Sequence, residues 1–542
     1  MGKISVNQAG YLIGESKSAV CLTRTNNEFS LCVAESGKVV FSGALTPVQS
    51  DEASGDNVRF ADFSAFNEPG TYYVRTGISK SSSFCIGENV YEDAVRKMLK
   101  SFYFQRCGIE LLPKYGKFTH KLCHHAKAAL FENEDKELEV SGGWHDAGDY
   151  GRYSSAAATT LGQLLYAYRL NEKNVGMSLN IPESGNGIPD ILNECRYELD
   201  WLLKMQDLSD GGVYHKVTTE RFCGFVMPED DIAPQWIFRK SCVASAQCAA
   251  AFALASGIYA KYDTEFADNL SCRAELAYAY ADAHPDEPPF TNPEGVNTGS
   301  YRDNDVRDDI FWAACELYSL TGKQEYHAKV RELYGIVPIH DFSWNSVGGF
   351  GSLCYILTER NKDSLVYKAI CEKVCDSAEK IYKRYCTSGY GAAIPMESYL
   401  WGSSMIVANA GNTLMAADLI SPNNNYRTAA YYQLAYLLGR NPLNVCYITG
   451  VGSNPVKFPH HRHSSADGIE EPVEGLVAGG PDAHRTDEFI RWNISEGTPP
   501  AKCYIDDEAS YSSNEVAIYW NGAVILLASF FGNGGSGDTN EK

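Results

Sequence analysis

Two hydrophobic periods divide this chain. Over residues 1 to about 88, short segments (18–22, 29–33, 39–42, 71–75) alternate apolar and polar positions, separated by turn residues such as Asn26-Asn27 and Ser36-Gly37. A period of two with frequent turns predicts a β-sandwich. From about residue 89, apolar residues recur at three- and four-residue spacing over 91–104, 156–170, 188–206, 244–262, 270–281, 308–321, 364–384, 408–420 and 425–438. That spacing predicts a long series of helices. In 188–206, Ile191, Cys195, Leu199, Leu202 and Leu203 fall on one stripe, with Pro189 in the first turn. Helices joined by loops from 89 to 531 suit an α/α toroid. The glycine-rich tail 532–542 reads as disordered.

Composition narrows the setting. A chain of 542 residues is long enough for more than one domain and a large core, and 44% hydrophobic with 21% charged residues is ordinary for a globular protein. The N-terminus carries no apolar run of the secretory kind, and no stretch reads as the ~18–20 apolar residues a membrane span needs. The expected location is the cytoplasm. Seventeen cysteines are an odd number, mostly in apolar helical contexts, and read as free thiols rather than a disulfide scaffold. A net charge of −21 argues against nucleic acid or anionic membranes as partners. The sequence does not specify an oligomeric state.

Chemistry concentrates in two short stretches. Gly142-Gly143-Trp144-His145-Asp146-Ala147-Gly148-Asp149-Tyr150 offers two carboxylates three residues apart between glycines, which let the backbone turn sharply. Tyr511-Ser512-Ser513-Asn514-Glu515 ends on a glutamate that leads into an apolar stretch closing on Trp520-Asn521. Cleaving a glycosidic bond needs one carboxylate to activate water and one carboxylic acid to protonate the leaving oxygen. The structural alternative is that Asp146 or Asp149 caps a helix entered through Tyr150-Gly151-Arg152. As the acid, Glu515 must be held protonated by partial burial or nearby negative charge, part of which Asp506 would supply.

Other clusters carry weaker signals. Pro459-His460-His461-Arg462-His463 sets three imidazoles around a guanidinium, and the arginine argues against a cation there. Trp144, Tyr511, Trp312 and Trp401 are candidates for stacking on sugar faces; apart from Tyr511, each reads as core. Cys107, Cys123 and His124 precede His145, and two thiolates with two imidazoles make a closed tetrahedral zinc site of the structural kind. The 16-residue gap between the cysteines is not a zinc-finger spacing, and His120 and His125 compete as ligands.

The runs Trp144-His145-Asp146-Ala147-Gly148-Asp149-Tyr150, Gly452-x-Asn454-x4-Pro459-His460-x-Arg462 and Tyr504-x-Asp506-x4-Tyr511-x3-Glu515-x-Ala517-x3-Asn521 resemble, in that order, the motifs of glycoside hydrolase family 9. The resemblance covers nearly the whole chain. Gly522, where the family usually has a small residue with a side chain, is a minor departure. The opening Val6-Asn7-Gln8-Ala9-Gly10-Tyr11 resembles the immunoglobulin-like module that precedes the catalytic domain in one branch. The resemblance implies an immunoglobulin-like β-sandwich over 1–88, packed as structural support, and an (α/α)6 barrel over 89–531.

It also implies roles. Asp149 would be the general base, Asp146 its partner in holding the water, and Glu515 the general acid of an inverting reaction. His460 and Arg462 would bind sugar hydroxyls, with Asp506 and Tyr511 also at the substrate. Cys107, Cys123, His124 and His145 would hold a structural Zn²⁺ that ties the Asp146 loop to the barrel. Calcium also occurs in the family, and the acidic run Pro228-Glu229-Asp230-Asp231 could serve, with no ligands assignable.

The implied substrate is a β-1,4-linked glycan of the cellulose or chitosan type. The lead reading is exo-hydrolysis of short glucosamine or glucose oligosaccharides, as an exo-β-D-glucosaminidase or β-glucosidase; the runner-up is an endo-β-1,4-glucanase. The acidic run 467–474 could block one end of the cleft and attract a glucosamine ammonium, or be an ordinary solvated loop. Two other classes remain: a catalytically silent carbohydrate-binding protein, against which Asp146, Asp149 and Glu515 together argue, and zinc-dependent hydrolysis, which needs an open coordination position.

Overall fold

A computed structural model describes residues 3–23 and 25–532; the tail read as disordered lies, but for Gly532, outside the described residues. The N-terminal region is a two-sheet sandwich. One sheet runs Ile4–Ser5, Ser18–Cys21, Asp56–Asp62, Gln49–Asp51. The other runs Tyr11–Leu12, Phe84–Gly87, Gly70–Thr76, Glu28–Val33, Val39–Ala44, with Ser79–Lys80 paired to Gly70–Thr76. Alternation does its work here: Tyr72, Val74 and Thr76 point inward from one strand while Thr71 and Arg75 face water. The sandwich encloses its own core of Val6, Tyr11, Leu31, Phe63, Val74 and Phe84.

The helical domain holds, among the described residues, twelve helices of ten or more residues. Ser154–Val175, Cys242–Tyr259, Arg307–Thr321, Gly348–Leu357, Ser403–Ile420 and Ile518–Ser529 form an inner ring, each touching the next, with the last closing on the first. Glu92–Phe104, Asp190–Met205, Thr264–Ala283, Gln324–Leu333, Ser364–Thr387 and Asn424–Leu437 pack outside them. Burial explains the two kinds of sequence. The outer Ser364–Thr387 buries only Val366, Ile370, Val374 and Ala378, a four-residue stripe, whereas Ile518–Ser529 is buried at every position.

The nine predicted helices are all present, and Pro189 precedes the first turn of Asp190–Met205 rather than lying in it. Gln324–Leu333, Gly348–Leu357 and Ile518–Ser529 went unread. Two of these are apolar all round, so they show no period, and the other is short and polar. One expectation is corrected: Cys242–Tyr259, 18 residues of hydropathy 1.5, is long and apolar enough to cross a membrane by composition. It is an inner-ring helix, 89% buried, whose apolarity serves the barrel core.

A third sheet, absent from the sequence reading, lies within the helical domain. Its strands run Asn133–Leu138, Ala128–Leu130, Trp236–Ile237, Lys216–Thr218, Arg152–Tyr153. Pieces of two to six residues are too short to show alternation. The two domains interlock through polar contacts: Asn7 donates to the Tyr91 hydroxyl at 2.8 Å, Arg440 Nε to the Ser18 carbonyl at 3.0 Å, and the Ser453 and Asn454 amides to Gln8 Oε1 at 3.0 and 2.8 Å.

Candidate active site and metal centre

Three distant segments meet at one end of the helical ring. The Ile518 amide donates to the Asp146 carbonyl at 2.8 Å, and Ala147 pairs with Ala517. His460 pairs with Glu515, its amide donating to the Asn514 carbonyl at 2.9 Å. Arg462 closes the triangle, donating to the Gly148 carbonyl from its amide at 3.1 Å and from Nη1 at 2.7 Å. The approach is so close that a Cβ on Gly148 would lie 2.0 Å from the His460 carbonyl oxygen. Any residue but glycine there would force the segments apart.

Asp146, Asp149 and Glu515 are thereby brought together. Tyr301 donates to Asp146 Oδ2 at 2.5 Å, while Asp146 Oδ1 is buried without a partner. Burial and then the charge of Asp149 push Asp146 well above the usual aspartate range, against the Tyr301 hydrogen bond. Asp149 accepts from the Gly151 amide at 2.9 Å and the Tyr153 hydroxyl at 3.5 Å. Neither aspartate caps the following helix, which starts after the strand Arg152–Tyr153 with no side-chain cap.

Glu515 is half-buried. Burial first, then the charges of Asp149 and Asp146, push its carboxyl well above the ordinary glutamate range, while Arg462 and a hydrogen bond from Trp401 oppose them. Asp506, expected to supply part of that charge, is not among the largest influences on Glu515. Its carboxylate accepts from the Lys457 and Phe458 amides, both at 2.9 Å, and from Asn514 Nδ2 at 3.1 Å. It thus shapes the run into His460.

The rim is aromatic. Trp144 and Trp312 are buried as expected, but Trp401 is 42% exposed and its ring centroid lies 5.1 Å from that of Tyr511; its reading as core is corrected. Tyr511 also faces His460, at 6.1 Å. Across the cleft, Phe225 sits edge-on to His460 at 5.1 Å, and the Arg462 guanidinium lies over both Phe222 and Phe225. Phe222, Phe225 and Tyr301 were not singled out from the sequence. No period or motif marked them: Phe222 and Phe225 lie in the irregular stretch before Pro228, and Tyr301 in the loop before Arg307–Thr321.

Beneath the Asp146 segment, Cys107, Cys123, His124 and His145 each offer a ligand atom, all within 4.8 Å of one another. Among the described residues no other group of three or more His, Cys, Asp or Glu donors gathers this way. His124 Nδ1 and His145 Nε2 are buried without hydrogen-bond partners, as ligand atoms awaiting an ion would be. Burial opposes ionisation of Cys107, but bonds from Cys123 and His124 and the fields of Arg152 and His145 hold its thiol well below the usual range. The donor set and spacing fit a tetrahedral ion.

The competing ligands lie elsewhere: His120 bonds the Lys121 carbonyl through Nδ1, and His125 is exposed. Asp231, from the run considered for calcium, turns onto His124 Nε2 at 3.3 Å, the outer support a metal-bound imidazole uses. The cluster ties 105–107 to the catalytic segment, since the Cys107 amide donates to Gly143 and the His145 amide to Gln105. In the acidic run 467–474, Glu471 pairs with Lys117 at the surface and the Val473 amide donates to Ser464 Oγ at 2.9 Å.

The family model of glycosyl hydrolase family 9 matches residues 91–528, and that of the cellulase N-terminal ig-like domain matches residues 1–81. The chain belongs to glycosyl hydrolase family 9. It is 38% identical over 549 residues to a cellodextrinase of Butyrivibrio fibrisolvens, covering 98% of this chain and 99% of that protein. Among solved structures it resembles a thermostable endoglucanase from Alicyclobacillus acidocaldarius, at 34% identity and TM-score 0.92, covering 98% of this chain and 99% of that one. It also resembles a Zn-binding triple mutant of a family 9 endoglucanase, at 33% identity and TM-score 0.91 over 96% and 99% of the two chains. This family 9 chain therefore carries its immunoglobulin-like domain and its catalytic domain in one interlocked unit.

Proposed function

We propose that this protein hydrolyses β-1,4-glucans with inversion, acting on short cello-oligosaccharides. One observation carries the reading: burial first, then the charges of Asp149 and Asp146, hold the Glu515 carboxyl well above the ordinary range, with Asp149 placed to act as base. Asp149 takes a proton from water, Asp146 holds that water through its free Oδ1, and Glu515 gives its proton to the leaving oxygen. The oxygen of water bonds to the anomeric carbon as the bond to the leaving sugar breaks. His460 and Arg462 orient the sugar next to the scissile bond, and Tyr511 and Trp401 offer it ring faces. The twelve helices are read as the family's (α/α)6 barrel.

The length-matched cellodextrinase supports a short-oligosaccharide substrate. The endoglucanase likeness favours a second reading, internal cleavage of longer chains. A glucosamine substrate stays the alternative to glucose: neither the cellodextrinase nor the endoglucanase is named for glucosamine, but the acidic run 467–474 could still attract an ammonium. Cys107, Cys123, His124 and His145 would hold Zn²⁺, which supplies a cross-link under the catalytic segment; four protein ligands leave no open position for hydrolysis. Seventeen unpaired thiols support a reducing, cytoplasmic setting.

The test is a product time course on cellobiose, cellopentaose, the glucosamine dimer and carboxymethyl-cellulose. Turnover of cellopentaose with little viscosity loss on the polymer supports the proposal. Rapid viscosity loss makes the protein an endoglucanase, and turnover confined to the glucosamine dimer overturns the glucan reading.

A further inference from the structure

Behind the two aspartates lies a lysine that no motif includes. Lys216 belongs to the strand Lys216–Thr218 and pairs antiparallel with Tyr153. It is fully buried. Its ammonium donates to Asn292 Oδ1 at 2.7 Å, Thr298 Oγ1 at 2.9 Å and the Gly299 carbonyl at 2.7 Å. It lies 4.5 Å from the Phe238 ring centroid and 5.7 Å from those of Tyr153 and Phe290. Burying a cation without an ion-pair partner is costly, and an apolar residue of similar length would fill the space. Burial pulls the lysine down to about 7, and the carboxylate whose charge draws it back up is Asp149.

Its three acceptors all lie on the stretch 292–299, which runs on into Tyr301. The Gly299 amide donates to the Tyr153 hydroxyl at 3.0 Å, and that hydroxyl faces Asp149 Oδ2 at 3.5 Å. Two residues later, Tyr301 reaches Asp146. The stretch is held again where His215 Nε2 meets the Ser300 carbonyl at 2.8 Å. The charged and titratable groups around the ammonium are Asp149 and Tyr153 from the catalytic segment, His215 just before its strand, and Arg239 beyond the Phe290 ring.

We infer that Lys216 is a positioning residue for the hydrolysis: it pins the 298–301 stretch that supports both aspartates. Lys216 acts through these groups and does not touch substrate. The inference rests on the roles proposed for Asp149 and Glu515, and the experiment separates the two. If the unaltered enzyme turns over no cello-oligosaccharide at any pH, the proposed function fails.

With an active enzyme, kcat and KM for cellopentaose are measured in Lys216→Gln, Lys216→Arg and Thr298→Val. In Lys216→Gln we expect kcat down about tenfold and KM within about twofold. Lys216→Arg, which keeps a cationic donor, should recover most of the native kcat, and Thr298→Val should lower kcat at native KM. A folded Lys216→Gln enzyme with native kcat overturns the inference. If Lys216→Gln does not fold, Thr298→Val decides: lowered kcat at native KM supports the pinning, and native kcat refutes it.

Discussion

The Tyr301 hydroxyl holds one oxygen of Asp146 and leaves the other buried and free. A hydrogen bond from 155 residues away thus decides how the first aspartate of the motif is presented. In Tyr301→Phe the second oxygen loses its partner too, leaving the carboxylate with none of its protein hydrogen bonds. Hydrogen bonds to charged groups are worth about 1.5–3 kcal/mol, so kcat should fall about 10- to 100-fold with KM little changed. Steady-state kinetics on cellopentaose check this, and native kcat would remove Tyr301 from the machinery.

Glu515→Gln removes the transferable proton but keeps the shape of the side chain. Turnover should drop by about 10²–10⁴-fold while cello-oligosaccharides still bind, as titration calorimetry would show. Because the Glu515 carboxyl is raised, the alkaline limb of kcat/KM should lie well above ordinary glutamate values. The sign for stability follows from linkage. A carboxyl raised on folding stabilises the fold fully below its unfolded pKa, and that stability is lost as pH climbs towards the folded value. Glu515→Gln should therefore melt higher than the native enzyme at neutral pH, with the gap closing near pH ~4; a gap that widens on acidification would contradict the assignment.

Replacing Cys123 with Ser takes one thiolate from the four-donor cluster. Zinc per chain, measured by elemental analysis, should fall together with Tm, by about 5 °C or more. Chelation should act the same way: slow loss of activity in step with unfolding marks a structural ion. Unchanged zinc content in the variant would refute this ligand set.

Trp401 is exposed, so truncating it should leave stability nearly intact. Aromatic contacts of this kind are worth about 0.5–1.5 kcal/mol beyond burial. Trp401→Ala should raise KM about 3- to 10-fold with a smaller effect on kcat. Unaltered KM on every oligosaccharide length would make the ring a mere cover for Glu515.

How much was legible follows from where each signal is stored. Period two in 18–75 and period 3.6 from 91 onward are local properties, so both domains and the striped outer helices could be read directly. Ile518–Ser529 could not, because a helix buried on every side has no polar face to set a period. Cys242–Tyr259 was legible as a helix, but not that its apolarity serves the barrel core. Strands as short as Arg152–Tyr153 owe their existence to partners across the chain.

By itself the sequence determined the chemical kit. Asp146, Asp149 and Glu515 sit in compact motifs, and Cys107, Cys123, His124 and His145 are the residue types a soft tetrahedral ion takes. Tertiary structure alone decided how the kit is arranged. It set His124 rather than His120 or His125 among the four donors, turned Asp506 to the backbone of 457–458, exposed Trp401, and drew Tyr301 and Lys216 behind the aspartates. The reason is physical: hydrogen bonds, desolvation and charge fields act over a few ångströms, and only the fold determines which residues come that close.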